Sequence, residues 1–320
     1  MASIRGSQRI ITGFLIISGI LAFLYVSVSI SVVIIISNRP LKPITRTPSS
    51  LGLNYRDVTF LSREDHLLLR GWLIPGILPD GRLTVERTVI QVHGAENNRA
   101  LVLDIDASLA RQGIAILAFD LRGNGESTKA PGGGGYFEQK DVLGAVDFLR
   151  SGPLPYPDLG RPRAIGGWGI SVGGDALIFA AAQETVIQAI VVDSAYATMA
   201  EYMEPAFGKF YVFIPGARYS EMMLYGLDYT SVRPVDVIAT IAPRPIFLIQ
   251  GAADTVILPS NMTELAAAAS AAPDARVQTW LVPKAHHIQA YNLERNTYVD
   301  RMVTFFDTEL HTERCAACAI

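Results

Sequence analysis

The sequence has little cysteine and little histidine, the residue types on which most transition-metal sites depend. It contains two cysteines and five histidines among 320 residues. Cys315 and Cys318 form one CxxC pair near the C-terminal end, and the sequence has neither a second CxxC pair nor an HExxH motif. These absences argue against a zinc site, and a tail, with a local disulfide if the domain is exported, is the preferred interpretation of the pair. We therefore expect no metal and no cofactor, and residues 313–320 are interpreted as a C-terminal tail.

Basic charge is scarce beyond the first part of the chain. Residues 1–47 carry five basic and no acidic side chains, which leaves 22 basic against 30 acidic side chains in the remainder, a formal charge of −8. An acidic domain without a basic patch is repelled by phosphate backbones. Nucleic acid is therefore not an expected partner.

Charge is missing altogether from Ile10 to Ile36, a run of 27 residues. A helix needs about 20 apolar residues to cross the hydrocarbon core, whereas the apolar core of a cleaved signal has about 7–15. We therefore predict a retained single-pass anchor over residues 1–37, with a cleaved signal as the alternative. Basic residues flank the run almost equally, so the positive-inside rule barely separates the two orientations. The expected orientation places the main domain outside the cytoplasm.

Beyond this run, residues 38–54 contain prolines and polar residues typical of a linker. Two apolar runs separated by REDH then predict a hairpin, and short β-branched runs alternate with amphipathic segments through residue 312. This alternation indicates right-handed βαβ units. Residues 55–312 are therefore predicted to form an α/β domain with a mostly parallel sheet and helices on both faces.

One stretch interrupts this alternation. Residues 195–240, approximately, are too long for a single crossover and are rich in aromatic residues and Met. Ligands bind at the carboxyl ends of the strands in open α/β sheets. The stretch therefore predicts a helical cap over that edge of the sheet.

The strongest chemical motif is GISVG, with Ser171 at its centre, between a predicted strand and a predicted helix. A serine hydroxyl becomes a useful nucleophile when it is held exposed and next to a base, and a sharp strand-to-helix turn exposes it. The flanking Gly169 and Gly173 leave room for such a turn. Ser171 is therefore the predicted nucleophile, and a plain glycine-rich turn is the alternative.

A serine nucleophile in this kind of sheet requires an acid and then a histidine further along the chain. Asp254 follows a predicted strand and is the predicted acid, with Asp193, after an earlier strand, as the alternative. His286 and His287 follow the last predicted strand, so one of them supplies the base. Adjacent side chains diverge on strands and helices, so the pair is not expected to share a metal.

Two backbone groups are predicted to complete the site as an oxyanion hole. They are the N–H of Val172, directly after the nucleophile, and that of Ala95, in the loop after an earlier strand. His93 precedes Ser171 in the chain and is interpreted as a residue that orients its loop. The stretch FDLRGNGES at 119–127 mixes charges and has no following Lys-Ser or Lys-Thr, so it is interpreted as a structural turn and not a phosphate loop.

With these features in order, the sequence resembles the α/β-hydrolase superfamily. It is similar to a bacterial membrane-anchored branch related to serine aminopeptidases, dienelactone hydrolases and the catalytic domain of prolyl oligopeptidase. In that family the base histidine is often followed three and four residues later by Ala-Tyr, which here selects His287. Gln250 stands where His commonly ends the acid strand. The resemblance is carried by RGWLIPG at 70–76, VHGAENNR at 92–99, FDLRGNGES at 119–127, GISVGG at 169–174, APRPIFLIQGAAD at 242–254 and AHHIQAY at 285–291.

The resemblance implies a serine hydrolase that forms an acyl-enzyme on Ser171, with His287 as base and Asp254 as acid. The expected substrate is a small-molecule carboxylic ester or other acyl compound, including lipid-like esters and thioesters, and the expected second partner is the membrane. A serine peptidase or aminopeptidase is the alternative within the same chemistry. A non-catalytic binding module is the alternative from another class.

Overall fold

A computed structural model describes residues 2–38 and 40–312, so the predicted tail with Cys315 and Cys318 lies outside the described residues. The strands are β1 (Arg56–Leu61), β2 (Leu68–Ile74), β3 (Gly76–Ile77), β4 (Leu83–Thr84), β5 (Arg87–Val92), β6 (Ala115–Phe119), β7 (Ala164–Ile170), β8 (Ile187–Asp193), β9 (Ile246–Gly251) and β10 (Val277–Val282). The helices are α1 (Ala2–Ser37), α2 (Leu103–Ala110), α3 (Gln139–Ser151), α4 (Val172–Gln183), α5 (Met199–Phe207), α6 (Ile214–Tyr225), α7 (Pro234–Val237), α8 (Ser260–Ser270), α9 (Ala290–Leu293) and α10 (Arg295–Glu309).

Eight strands form one sheet in the order β1-β2-β6-β5-β7-β8-β9-β10, and β3 and β4 form a separate small hairpin. Strand β2 runs antiparallel to both of its neighbours. The pairs from β6 through β10 are all parallel. The predicted α/β fold, with its mostly parallel sheet and its first hairpin, is confirmed.

Alternate side chains of each central strand enter hydrophobic cores on opposite faces of the sheet. In β9, Ile246 and Leu248 join the core covered by α3, α4 and α8, whereas Phe247 and Ile249 join the core covered by α2 and α10. Successive side chains of a strand point to opposite faces. Because helices cover both faces of this sheet, its central strands must be apolar along nearly their whole length. This packing explains why the central strands read as apolar runs without polar alternation.

The segment between β8 and β9 contains α5, α6 and α7, within the stretch predicted to be the cap. It has a small core of its own, which includes Tyr196, Met199, Leu227 and Tyr229. The cap also contacts α1: the Tyr25 hydroxyl donates to the Val212 carbonyl at 3.0 Å. The cap therefore connects the sheet to the N-terminal helix.

The N-terminal helix α1 is continuous and strongly apolar. Its segment Ile11–Ser37 is long and apolar enough to cross a membrane, a property that signal sequences near an N-terminus share. An apolar N-terminal helix before the α/β domain is thus confirmed.

The stretch 119–127 forms a turn around a buried ion pair. Nη1 of Arg99 lies 2.6 Å from Oδ2 of Asp120, and the backbone N–H groups of Arg99 and Glu126 also donate to this carboxylate. Asp120 is fully buried, and the Arg99 guanidinium lies 4.5 Å from the Trp72 ring centroid. The carboxylate therefore holds two loops together, as a structural turn requires.

We predict that Asp120→Ala lowers the free energy of unfolding by about 3–5 kcal/mol, because it leaves the buried Arg99 with only the exposed Glu126 as counter-charge and removes the acceptor of two backbone N–H groups. The matched control is Asp80→Ala, whose partner Arg82 forms an ion pair in which both side chains are more than half exposed. Such an exposed pair contributes about 0–1 kcal/mol. Thermal unfolding of the purified chains, followed by circular dichroism, measures both. Equal, small changes in Tm would contradict the structural assignment.

Candidate active site

The chain turns sharply at Ser171, between β7 and α4. Ser171 has φ 53° and ψ −132°, a backbone conformation that residues other than glycine rarely adopt. A Cβ added at Gly169 would lie 2.4 Å from the Gly173 carbonyl oxygen, and one at Gly173 would lie 2.3 Å from that of Val92. The glycines of the motif are therefore required because β5, β7 and α4 approach one another so closely.

A chain of hydrogen bonds runs from Ser171 through His287 to Asp254. Nε2 of His287 lies 3.1 Å from Oγ of Ser171, and Nδ1 lies 2.8 Å from Oδ2 of Asp254. An ionised carboxylate only accepts, so Nδ1 carries the proton that faces Asp254 and Nε2 is left to accept from the serine hydroxyl. The structure thus brings together the three side chains that the sequence predicts as nucleophile, base and acid.

The Asp254 carboxylate is aimed by its own loop. Oδ1 accepts the backbone N–H groups of Val256 and Ile257 at 2.8 and 3.0 Å. Nε2 of Gln250 donates to Oδ2 at 2.9 Å and also to the Ile257 carbonyl at 3.0 Å. Gln250 therefore positions the acid, a role for which the sequence alone gave no signal.

Asp193, the alternative acid, has other partners. Its Oδ1 accepts from the Ser194 hydroxyl and its Oδ2 from the Tyr298 hydroxyl, both at 2.8 Å. Complete burial raises the pKa of Asp193 to about 6, and these two hydrogen bonds oppose the rise. Of the two candidate acids, Asp254 is the one that is hydrogen-bonded to His287.

The two other candidate histidines lie in different surroundings. His286 is exposed. His93 is fully buried: its Nε2 accepts the N–H of Leu121 at 3.0 Å, so its Nδ1 donates to the Gly94 carbonyl at 2.7 Å. Burial lowers the pKa of His93, which favours this neutral form. The position of His93, between the loops after β5 and β6, fits the interpretation as an orienting residue.

A cavity beside the turn is lined by Ala95 and Val172, the two residues whose backbone N–H groups are predicted to form the oxyanion hole. The loop that contains Ala95 comes close to the turn, since a Cβ added at Gly94 would lie 3.3 Å from the Ser171 Cβ. The cavity is also lined by residues of the predicted cap and by the end of α1, and the contribution of α1 has no signal in the sequence. These further lining residues include Ile36, Ser37, Met199, Tyr202, Met203 and Glu221.

Three glutamates line the cavity, Glu96, Glu138 and Glu221, and the last two lie in different environments. The Glu138 carboxylate accepts backbone N–H groups from Gly133 and Gly135 at 3.0 and 2.8 Å, which fixes the glycine-rich loop before α3. Glu221 lies in the cap and is 8% exposed. Burial raises the pKa of Glu221 to about 7, with a smaller contribution from the nearby charge of Asp228. Glu221 therefore changes charge near neutral pH.

No group of three or more His, Cys, Asp or Glu side chains within residues 2–38 and 40–312 is arranged to hold a metal ion.

The fold and the strained serine turn place the chain among the serine hydrolases of the α/β-hydrolase superfamily. Residues 104–313 match the prolyl oligopeptidase family. This match covers more than half of the chain, so the protein belongs to the prolyl oligopeptidase family.

The similar proteins do not determine whether this chain cleaves an ester or a peptide bond. The chain is 29% identical over 265 residues to the uncharacterized protein YfhR of Salmonella typhi, a match that covers 79% of this chain and 82% of that one. The fold is similar to that of the esterase Pf2001 of Pyrococcus furiosus, with a TM-score of 0.69, 23% identity and coverage of 86% and 100%. It is also similar to an acylaminoacyl peptidase of Pyrococcus horikoshii, with a TM-score of 0.60, 18% identity and coverage of 81% of this chain and 42% of that one. Both structural likenesses concern the fold alone.

We predict that His287→Ala lowers kcat by roughly a thousandfold or more, because it removes the group that accepts the serine proton. The matched control, His286→Ala, should stay within a few-fold of the parent. Asp254→Asn should likewise reduce kcat far more than Asp193→Asn. Steady-state kinetics of the four purified variants measure this, and equal losses within either pair would contradict the assignment.

Proposed function

We propose that the protein is a membrane-anchored serine esterase that cleaves carboxylic esters with apolar acyl groups. The observation that carries this proposal is the hydrogen-bond chain Ser171–His287–Asp254 at the end of the strained turn. Ser171 Oγ attacks the ester carbonyl carbon while Nε2 of His287 takes its proton, and Asp254 stabilises the imidazolium that forms. The N–H groups of Ala95 and Val172 donate to the oxyanion.

The second half of the reaction uses the same groups. His287 returns its proton to the alcohol as the ester C–O bond breaks, which leaves the acyl group on Ser171. A water molecule then attacks the acyl-enzyme and gives its proton to His287. His287 returns this proton to Oγ of Ser171 as the acyl–oxygen bond breaks, and the acid product departs. The N-terminus of α4, which begins at Val172, adds its dipole to the stabilisation of both oxyanions.

Four side chains of the mixed cavity lining support an apolar acyl group. Met199, Met203 and Tyr202 come from the cap, and Ile36 comes from the end of α1. Apolar surface of this kind favours the transfer of an acyl chain out of water. Thioesters of the same acyl groups react by the same steps and belong to the proposed substrate class.

A serine aminopeptidase or related peptidase is the second candidate, because the same cavity contains Glu221. An ionised carboxylate there would bind the ammonium group of an aminoacyl substrate. The pKa of Glu221 is raised to about 7, so the carboxylate gains its charge as the pH rises through 7. An amine-binding role thus predicts that the preference for aminoacyl substrates increases over this range.

A matched pair of substrates separates the two candidates: the hexanoate and leucine esters of one fluorogenic alcohol, which share a leaving group and differ mainly in the ammonium. We predict that kcat/KM for the hexanoate ester exceeds that for the leucine ester by about tenfold or more, with little change in Glu221→Gln. A preference for the leucine ester that grows above pH 7 and is lost in Glu221→Gln would establish the second candidate. Folded protein that cleaves neither ester would favour a non-catalytic binding module.

The contacts of α1 support its retention as a membrane anchor, and we propose in addition that the hydrolase domain lies outside the cytoplasm. Ser29 is buried against the cap although it lies within the apolar run. Nδ2 of Asn38 also donates to the Tyr225 hydroxyl at 2.7 Å. Removal of α1 by a signal peptidase would expose this side of the cap and open one wall of the cavity.

We predict that the mature protein keeps residues 11–37, resists extraction from membranes by alkaline carbonate, and is degraded by protease added to intact cells. Intact-mass measurement of the purified chain checks the first point, and immunoblots check the other two. A mature chain that begins after residue 37 would contradict the anchor. Full protection from external protease would reverse the orientation.

A further inference from the structure

The anchor helix and the cap helix α6 run parallel and in register. Tyr25 contacts Val212 at 3.0 Å and Asn38 contacts Tyr225 at 2.7 Å, and both pairs are separated by 187 positions. Gly216 and Ser29 have the same separation, and a Cβ added at Gly216 would lie 2.2 Å from the Ser29 Oγ. A small residue at such a contact lets two helices approach closely. Each position of α6 therefore lies level with a known position of α1.

The anchor fixes the depth of this helix pair in a bilayer. The apolar segment Ile11–Ser37 has 27 residues, whereas the hydrocarbon core requires about 20. Every window of about 20 residues within this segment contains Tyr25. Val212, which is hydrogen-bonded to Tyr25, therefore lies at hydrocarbon depth wherever the bilayer sits along α1.

From this level up to that of Ile36, with which Met223 lies level, the cap exposes large apolar side chains. Phe210, Tyr211 and Val212 are 68%, 70% and 55% exposed, and Tyr219 and Met223 on α6 are 66% and 81% exposed. We call these five residues the cap edge. Three of these residues are consecutive, and the other two lie one helical turn apart on α6. A group of exposed apolar side chains of this kind marks an interaction site, and tyrosines are enriched where protein meets the membrane interface.

The ion pair of Arg218 on α6 is compatible with a shallow insertion. Arg218 is paired with Asp228, with Nε 2.8 Å from Oδ1, and by the same separation of 187 it lies level with Ser31. When the hydrocarbon core ends near Ile30, this ion pair lies among the headgroups. Tyr25 then lies about 8 Å inside the core, since a helix rises 1.5 Å per residue.

We propose that the cap edge inserts into the leaflet crossed by the C-terminal half of α1 and forms a second membrane contact. Lipid is the partner in this contact, because the cap edge lies beside the lipid-facing surface of the anchor and continues it. This contact fixes the height of the active-site cavity: Ile36 in its wall lies about 9 Å above Ile30. The cavity therefore lies at headgroup level.

This position defines the substrate class more narrowly. The cavity receives amphiphilic esters directly from the leaflet, with the acyl chain entering beside α1 and the cap. This second step rests on the proposed esterase function, whereas the insertion of the cap edge does not.

Depth-dependent quenching tests the insertion. The full chain, with Cys315 and Cys318 replaced by Ser, receives a single Tyr211→Cys substitution, is labelled with the fluorophore NBD and is reconstituted into phosphatidylcholine vesicles. Lipids that carry a nitroxide at carbon 5 of the acyl chain should quench most of its fluorescence. The matched control is Arg163→Cys, which replaces a side chain of similar exposure just before β7, at the opposite end of that strand from Ser171.

Equal quenching at the two positions would overturn the proposal. Blue-shifted emission at Tyr211→Cys without nitroxide quenching would also overturn it, since it would place the cap edge against protein, such as a second copy of this chain.

A kinetic measurement tests the delivery of substrate. In the variant Phe210→Ser, Tyr211→Ser, Val212→Ser, hydrolysis of a long-chain umbelliferyl ester dissolved in the vesicles should fall about tenfold, a loss of about 1.4 kcal/mol of transition-state stabilisation. Hydrolysis of the water-soluble butyrate ester should not change. An unchanged rate on the vesicle-dissolved ester would contradict delivery from the leaflet. Absence of both activities in the parent chain would instead contradict the esterase function and leave the quenching result unaffected.

Discussion

The steric constraint at Ser171 is the feature on which the rest of the site depends. The chain must pass from β7 into α4 through a positive φ, and only glycine at positions 169 and 173 lets the neighbouring backbones come this close. The turn directs the serine hydroxyl toward the histidine of the loop after β10. The strained conformation of this turn persists because the buried strands on both sides leave it no room to relax.

A second constraint links the site to the N-terminal helix. The cavity next to Ser171 is closed by the cap and by the end of α1, and residues 25–38 remain in register with residues 212–225. The surface that binds an acyl chain and the surface proposed to contact lipid are therefore parts of one packed unit. A change in the position of the anchor would change the shape of the cavity.

Much of the fold and the candidate site followed from local sequence patterns. Buried strands and the glycines around Ser171 leave strong local signals, and the order of serine, acid and histidine directed attention to Asp254 and His287. The hydrogen bonds from Gln250 to Asp254 and from Tyr298 to Asp193 left no such signal. Other polar residues at positions 250 and 298 would fit the same local sequence pattern. The pairing of α1 with α6 joins segments 187 positions apart, and neither helix carries a pattern that specifies the other.

The central claim is that Ser171 is an activated nucleophile, and covalent labelling tests it most directly. A fluorophosphonate probe reacts with serine hydroxyls that an adjacent base has activated. Mass spectrometry of the labelled full chain should find one adduct per molecule, located on Ser171, and the adduct should be lost in Ser171→Ala. Folded protein that is not labelled, or that is labelled equally well without Ser171, would contradict the account.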